Sequence, residues 1–240
     1  MSAAVRRTAL AGRIAGIRQR IGAAAGRSGR KPGSVRLVAV SKFRTVEEIE
    51  EAIAGGISEI GESRVQEADR KRRRITEPGL IWHLVGRLQS NKAKKAVQIF
   101  DLIHSISTLD MARRLDRLAA EQDTTQAVLI QVQLGEEESK QGLPIARLYA
   151  DLERMAELSN LRVEGLMTLP PYLPDPEQVR PFFAQLRELR ETVRARGLAG
   201  PAFRELSMGM SHDFEVAVEE GATLVRVGTA LFGERPAEGP

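Results

Sequence analysis

Eight short apolar runs, separated by polar or amphipathic stretches of helical length, recur from residue 36 almost to the end of the chain. No other feature constrains the fold as tightly. The runs fall at residues 36–41, 58–60, 80–84, 100–103, 126–132, 162–167, 204–206 and 223–225. Each is continuously apolar where a one-sided strand would alternate, which marks strands buried on both faces. The stretches between them predict helices over residues 45–55, 64–75, 91–98, 109–122, 144–159, 175–196 and 211–220. Thr45 with Glu48 three residues on is a capping box, and Gly55-Gly56 stops that helix. Eight strand-helix units of this kind predict a parallel sheet covered by helices, and a closed (β/α)8 barrel is its simplest form. The rival, a doubly wound open sheet, normally carries a Gly-rich turn after its first strand. Here that strand runs into Ser41-Lys42-Phe43-Arg44.

Ahead of the first strand, Leu10, Ile14, Ile17 and Ile21 form one apolar stripe, so residues 1–30 predict an amphipathic helix packed on the barrel. The first acidic residue is Glu47, and an Ala- and Arg-rich, acid-free opening is also how an organelle transit peptide reads. The regular stripe favours the helix. Nothing between folded units resembles a linker, and the Pro-rich stretch 170–176 sits where a barrel loop belongs, so residues 1–240 are expected to form one domain.

Composition narrows the chemistry. With no cysteine, the chain has no disulfide framework, zinc-thiolate site, iron–sulfur cluster or thiol nucleophile. No run approaches the roughly 18 apolar residues of a membrane helix, so a soluble, cytoplasmic protein is expected. His83, His104 and His212 lie on three different units without shared carboxylate spacing, which predicts no metal site. The net charge of +4 hides an imbalance: residues 1–95 hold 21 basic and 9 acidic side chains, the remainder 15 and 23. The basic runs 70–74 (RKRRR) and 91–95 invite a nucleic-acid reading. Only 4% of residues are aromatic and none interleaves with those charges, so solvated helix faces are expected instead.

A barrel keeps its active site at the carboxyl ends of its strands. Standing there are Lys42, the segment Gly61-Glu62-Ser63-Arg64, His83 with Gly86, His104, Gln133, Met167-Thr168, the segment 207–211 and the segment 226–229. Lys42 directly after the run LVAV is either an amine nucleophile held at the barrel mouth or a strand-end lysine reaching for water. Ser207, Gly209, Ser211, Gly228 and Thr229 offer hydroxyls and close backbone approach where barrel phosphate sites are built, and equally an ordinary helix start. Arg226 needs a partner to offset its burial: a ring nitrogen or carboxylate of a ligand, or a structural ion pair with Glu205 or Glu62.

Six segments in order carry a resemblance: LVAVSK (37–42), GESRVQE (61–67), WHLVGRLQSNK (82–92), GLMTLPP (165–171), LSMGMSHDF (206–214) and VRVGTALFG (225–233). Together they resemble the pyridoxal phosphate homeostasis (YggS/PROSC) family over nearly the whole length. The resemblance implies a fold-type III (β/α)8 barrel like the amino-terminal domain of alanine racemase, with pyridoxal 5′-phosphate (PLP) held as a Schiff base on Lys42. It implies that Ser207, Ser211, Gly228 and Thr229 bind the phosphate and that Arg226 faces the pyridine nitrogen. Met208 belongs to the same loop and His83 is expected to line the cofactor face. Ser63 stands where the family commonly has asparagine, as does Gln133.

An arginine at the ring nitrogen can only donate, so that nitrogen stays unprotonated and the cofactor is a weak electron sink. Related racemases work this way with a tyrosine from an additional domain. This chain ends just past its last barrel segment, and its two tyrosines, Tyr149 and Tyr172, lie away from the reactive ends of the six segments. The resemblance therefore implies a non-catalytic protein that holds PLP and delivers it to apo PLP-dependent enzymes, and the absence of an obvious apolar seam makes a monomer the expectation. A racemase-like enzyme of low activity is the alternative, and a nucleic-acid-binding module a third.

Overall fold

The computed structural model describes residues 3–135 and 142–234. Its centre is a closed barrel of eight parallel strands: β1 (Arg36–Val40), β2 (Glu59–Glu62), β3 (Ile81–Leu84), β4 (Leu102–Ile106) and β5 (Gln126–Gln133), then β7 (Leu161–Met167), β8 (Glu205–Ser207) and β9 (Leu224–Val227). A two-residue strand, β6 (Leu143–Pro144), adds to the far end of β5 outside the ring. Pairing of β1 with β9, Leu37 opposite Val225 and Val38 opposite Arg226, closes the barrel. All eight expected strands are present. The second and fourth begin and end later than their apolar runs, the fourth because Phe100 caps the preceding helix and packs in the outer core.

Helices α1 (Ala3–Arg27), α2 (Val46–Ala54), α3 (Val65–Arg72), α4 (Ala93–Ile99), α5 (Leu109–Ala120), α6 (Ile145–Ala156), α7 (Arg180–Ala195) and α8 (Phe214–Glu219) cover the barrel, with a last short α9 (Thr229–Phe232) in a segment the sequence reads as loop. The capping box at Thr45 is formed as expected. Two apolar layers result. An outer one lies between strands and helices and includes Trp82, Ile60 and Leu84, while Val38, Leu102, Ala127, Leu129, Met167 and Leu224 pack inside the barrel.

Helix α1 buries its stripe Leu10, Ile14, Ile17 and Ile21 against α2, α8 and α9, bridging the first and last units of the chain. Its arginines meet the acidic half there: Arg20 Nη2 lies 2.6 Å from Glu215 and Arg27 Nε 2.7 Å from Glu219. Part of the basic excess of the first 95 residues is thus answered by the acidic excess of the rest. The run 70–74 is not uniformly a solvated face. Val65, Ala68 and Lys71 form the inner stripe of α3, and Lys71 is 6% exposed.

Candidate functional site

A cavity of about 890 Å³ opens at the carboxyl ends of β1, β8 and β9, with Lys42, Ser63, Tyr172, Ser211, Arg226 and Gly228 in its wall. Its volume lies in the range of small-molecule sites.

Lys42 sits in a loop held from behind. Lys71 Nζ donates to the Ser41 carbonyl, to Glu62 Oε1 and to Glu67 Oε1, each at 2.7 Å. The Ser41 hydroxyl donates to the same Glu62 oxygen at 2.6 Å, and the Phe43 N–H donates to Glu67 Oε1 at 2.7 Å. Burial pushes the Glu62 carboxyl up, with Lys71 and Ser41 pulling it back. Phe43 takes φ = 63°, a left-handed conformation that costs a non-glycine residue energy and persists only where surroundings enforce it. The bonds on both sides of Lys42 supply that enforcement.

Arg226 is 3% exposed. Its Nη1 donates to Ser207 Oγ at 2.5 Å and its Nη2 to the Thr168 carbonyl at 2.8 Å, and the residue forms part of the cavity wall. Burial pushes its pKa down to about 10, against the opposing pull of Asp213. Neither Glu205 nor Glu62 is its partner: Glu205 lies 3.7 Å from Arg36, and Glu62 pairs with Lys71.

Behind Arg226 runs a buried chain of polar groups. Ser207 Oγ lies 2.8 Å from His104 Nδ1, and His104 Nε2 lies 2.9 Å from His83 Nδ1. His83 Nε2 comes within 3.0 Å of Glu59 Oε2, off the line a hydrogen bond requires, so that end is a close polar contact and not a hydrogen bond. Because Ser207 accepts from Arg226, one polarisation satisfies the chain: Ser207 donates to His104, His104 to His83, and His83 directs its remaining N–H toward Glu59. His104 is then neutral. Burial first, then the fields of His83, Arg226 and Arg36, holds the His104 imidazole well below its ordinary range.

At the other side of the cavity, the N–H groups of Gly228 and Ala230 donate to Ser211 Oγ at 3.3 and 3.2 Å. The two N–H groups converge on the hydroxyl oxygen at the cavity wall, and an anion seated there can take over these donors. Gly209 makes the turn possible: at φ = 89°, a Cβ there would lie 2.6 Å from the Ala217 Cβ and 2.9 Å from the Phe214 Cα. Asp213 accepts from the Met210 N–H at 2.6 Å, and its carboxyl is raised by burial.

Of the residues expected at the site, Lys42, Ser63, Ser211, Arg226, Gly228 and Thr229 line the cavity. His83, Ser207 and Met208 do not; all three are fully buried behind the wall. His83 points into the barrel below the mouth, where His104 engages it, and Ser207 is taken by Arg226 and His104. Met208 joins the outer core, and Met210 lines the cavity in its place. Gln133 ends β5 opposite Pro144, away from the wall. Tyr172 corrects the expectation in the other direction: it stands at the cavity mouth, 74% exposed, its ring 5.0 Å from that of His212. The only sequence signal for it was the placement of stretch 170–176 in a rim loop.

Residues 14–236 match the family model for the alanine racemase N-terminal domain. A pyridoxal phosphate homeostasis protein of Aquifex aeolicus is 44% identical over 223 residues, covering 93% of this chain and 97% of that one. The chain belongs to the pyridoxal phosphate homeostasis protein family. The Escherichia coli K12 member is 40% identical over 229 residues, with 94% and 97% covered. Among solved structures, PipY of Synechococcus elongatus PCC7942 with PLP bound superposes at a TM-score of 0.83, 41% identical, covering 93% of this chain and all of that one. Alanine racemase from Corynebacterium glutamicum, 19% identical, shares the fold at 0.70 over 98% of this chain and 63% of its own. Among the described residues no helix is long and apolar enough to cross a membrane.

Proposed function

We propose that this chain binds PLP in the cavity around Lys42, carries it as a Schiff base on that lysine, and serves intracellular PLP homeostasis by holding the cofactor and handing it to apo enzymes. One observation carries this: a primary amine, a donor-only guanidinium and a convergence of N–H and O–H groups face one cavity, and the PLP-bound relative shares 41% of its residues with this chain. These groups match the three handles of the cofactor. Bound there, PLP supplies an aldehyde that condenses with an amine, releasing water, and a phosphate dianion.

Each handle has its own group in this chain. Lys42 supplies the amine. Ser211 with the Gly228 and Ala230 N–H groups holds the phosphate, and Arg226 donates to the ring nitrogen, keeping a proton off it. Gly86 lets the wall close at Ser63, since a Cβ there would meet the Ser63 backbone. In this proposal residues 1–240 act as one domain and as a cytoplasmic monomer. The test is optical: the purified protein with PLP shows a visible absorption band that borohydride fixes onto Lys42, and Lys42→Ala abolishes it. Retention of the same band by Lys42→Ala would sink the proposal.

Tyr172 favours a second reading. A phenol and the His212 imidazole at the mouth of the same cavity are acid–base groups of the kind a racemase uses, so slow exchange of an amino acid's α-proton is the alternative. Exchange into deuterated solvent that Tyr172→Phe eliminates establishes it. No exchange across an amino-acid panel leaves cofactor handling alone.

A further inference from the structure

A second cavity, of about 730 Å³, adjoins the first, with Ser63 in both walls. It is built by the two segments 61–67 and 82–92, most of which the Lys42 site leaves unused. Arg64, Arg70, Arg87 and Lys92 line it, together with the amides of Gln66 and Gln89. Several other cations of the neighbouring helices have carboxylate partners: Lys71 pairs with Glu62 and Glu67, Arg73 and Lys95 share Asp69, and Arg74 meets Glu47. Among the described residues, Arg64, Arg70, Arg87 and Lys92 have no carboxylate partner. The one acid in the wall, Glu67, already accepts from Lys71 and from the Phe43 N–H. Four unanswered positive charges therefore face one concave space.

We propose that this cavity is a separate binding site for a small phosphorylated molecule. Three guanidinium forks match the oxygens of a phosphate monoester and select it over a single carboxylate, while Lys92 adds a compact charge. Phe43 contributes a flat apolar wall, stiffened by the Arg64 guanidinium 5.6 Å from its ring centre, against which a planar group can lie. An extended acidic protein surface would need a convex or flat partner face, and this patch is a pocket of ligand size. Phe43, which lines this second cavity, follows Lys42 directly in the strained turn, so the two cavities are neighbours in the chain as well as in space. Lys42 itself plays no part in this second site, which stands apart from the cofactor proposal.

The test uses phenyl phosphate as the probe, titrated calorimetrically into the ligand-free protein at low salt. Wild type, Ser211→Ala and the double variant Arg64→Gln/Arg87→Gln are compared. Both arginines are exposed, so the variant is expected to fold, as circular dichroism checks. The double variant is expected to lose one binding event, or to weaken it at least tenfold, while Ser211→Ala leaves that event intact. Lys92→Gln, at a different residue of the same wall, is expected to weaken the same event. Unchanged binding in the double variant and in Lys92→Gln overturns the proposal, as does loss of all binding in Ser211→Ala. Benzoate binding as tightly as phenyl phosphate overturns the phosphate assignment. An octa-aspartate peptide that displaces the probe at tenfold lower concentration reassigns the patch to an acidic protein.

Discussion

Replacing His104 by glutamine tests the buried polar chain behind Arg226. His104 is fully buried, 2.9 Å from His83 and 2.8 Å from Ser207. Burial and the fields of His83, Arg226 and Arg36 keep it neutral in the folded protein well below its ordinary value of 6.5. In the unfolded chain the same imidazole takes up a proton near that value. Below it the unfolded state binds more protons than the folded one, so stability falls as pH falls. The limiting slope is about 1.4 kcal/mol per pH unit, and the unfolded-state titration of one such site from pH 6 to pH 5 sets a ceiling of about 1.2 kcal/mol. Glutamine nearly preserves the volume, and its amide can accept from Ser207 and donate to His83, but it cannot titrate. Urea unfolding of both proteins at pH 7, 6 and 5 reads the difference directly. Wild type is expected to lose more stability than His104→Gln between pH 6 and pH 5, by up to about 1.2 kcal/mol. Glu62 and Asp213, whose carboxyls burial raises, titrate in both proteins and cancel in the comparison. Parallel pH profiles would refute the neutral, buried assignment of His104.

Other consequences are as direct. Gly209→Ala forces an alanine to φ = 89° and into Ala217 and Phe214, which costs about 2–4 kcal/mol in strain and overpacking. Thermal melting should fall by roughly 5–15 °C, and an unchanged melting temperature would show that the turn relaxes freely. Lys71→Met leaves Glu62 buried without its cation and should cost about 3–5 kcal/mol, while Lys71→Met/Glu62→Gln recovers much of it. Equal stabilities of the two variants in urea titrations would show that the charge of Glu62 is answered elsewhere. Tyr172→Phe is expected to leave the PLP absorption band in place, because the phenol stands at the mouth and not among the groups that hold the cofactor.

The barrel was legible because each strand is a continuous apolar run and each helix carries a period, and these local signals agree. Lys42, Ser211, Arg226 and Gly228 were legible for a related reason: strand ends in such a barrel share one rim. Depth below the rim was not legible. His83 and Ser207 occupy strand positions as plausible for a wall as for the interior, and only their pairing with His104 decides, over separations of 21 and 103 residues. Lys71 was hidden by composition, since RKRRR reads as solvated, although the spacing of Val65, Ala68 and Lys71 already turns it inward. Tyr172 lies among prolines, where no periodicity indicates direction.

The docking of α1 has a consequence for how the molecule is made. Helix α1 is synthesised well before α8 and α9, on which it rests, and β1 closes the ring only by pairing with β9. During translation the stripe Leu10, Ile14, Ile17 and Ile21 must wait, uncovered on most of its length, until some two hundred further residues have emerged. Contacts this distant in sequence make folding slow and leave apolar surface open to aggregation meanwhile. The run of arginines along α1 keeps that waiting segment charged and soluble until its acidic partners arrive.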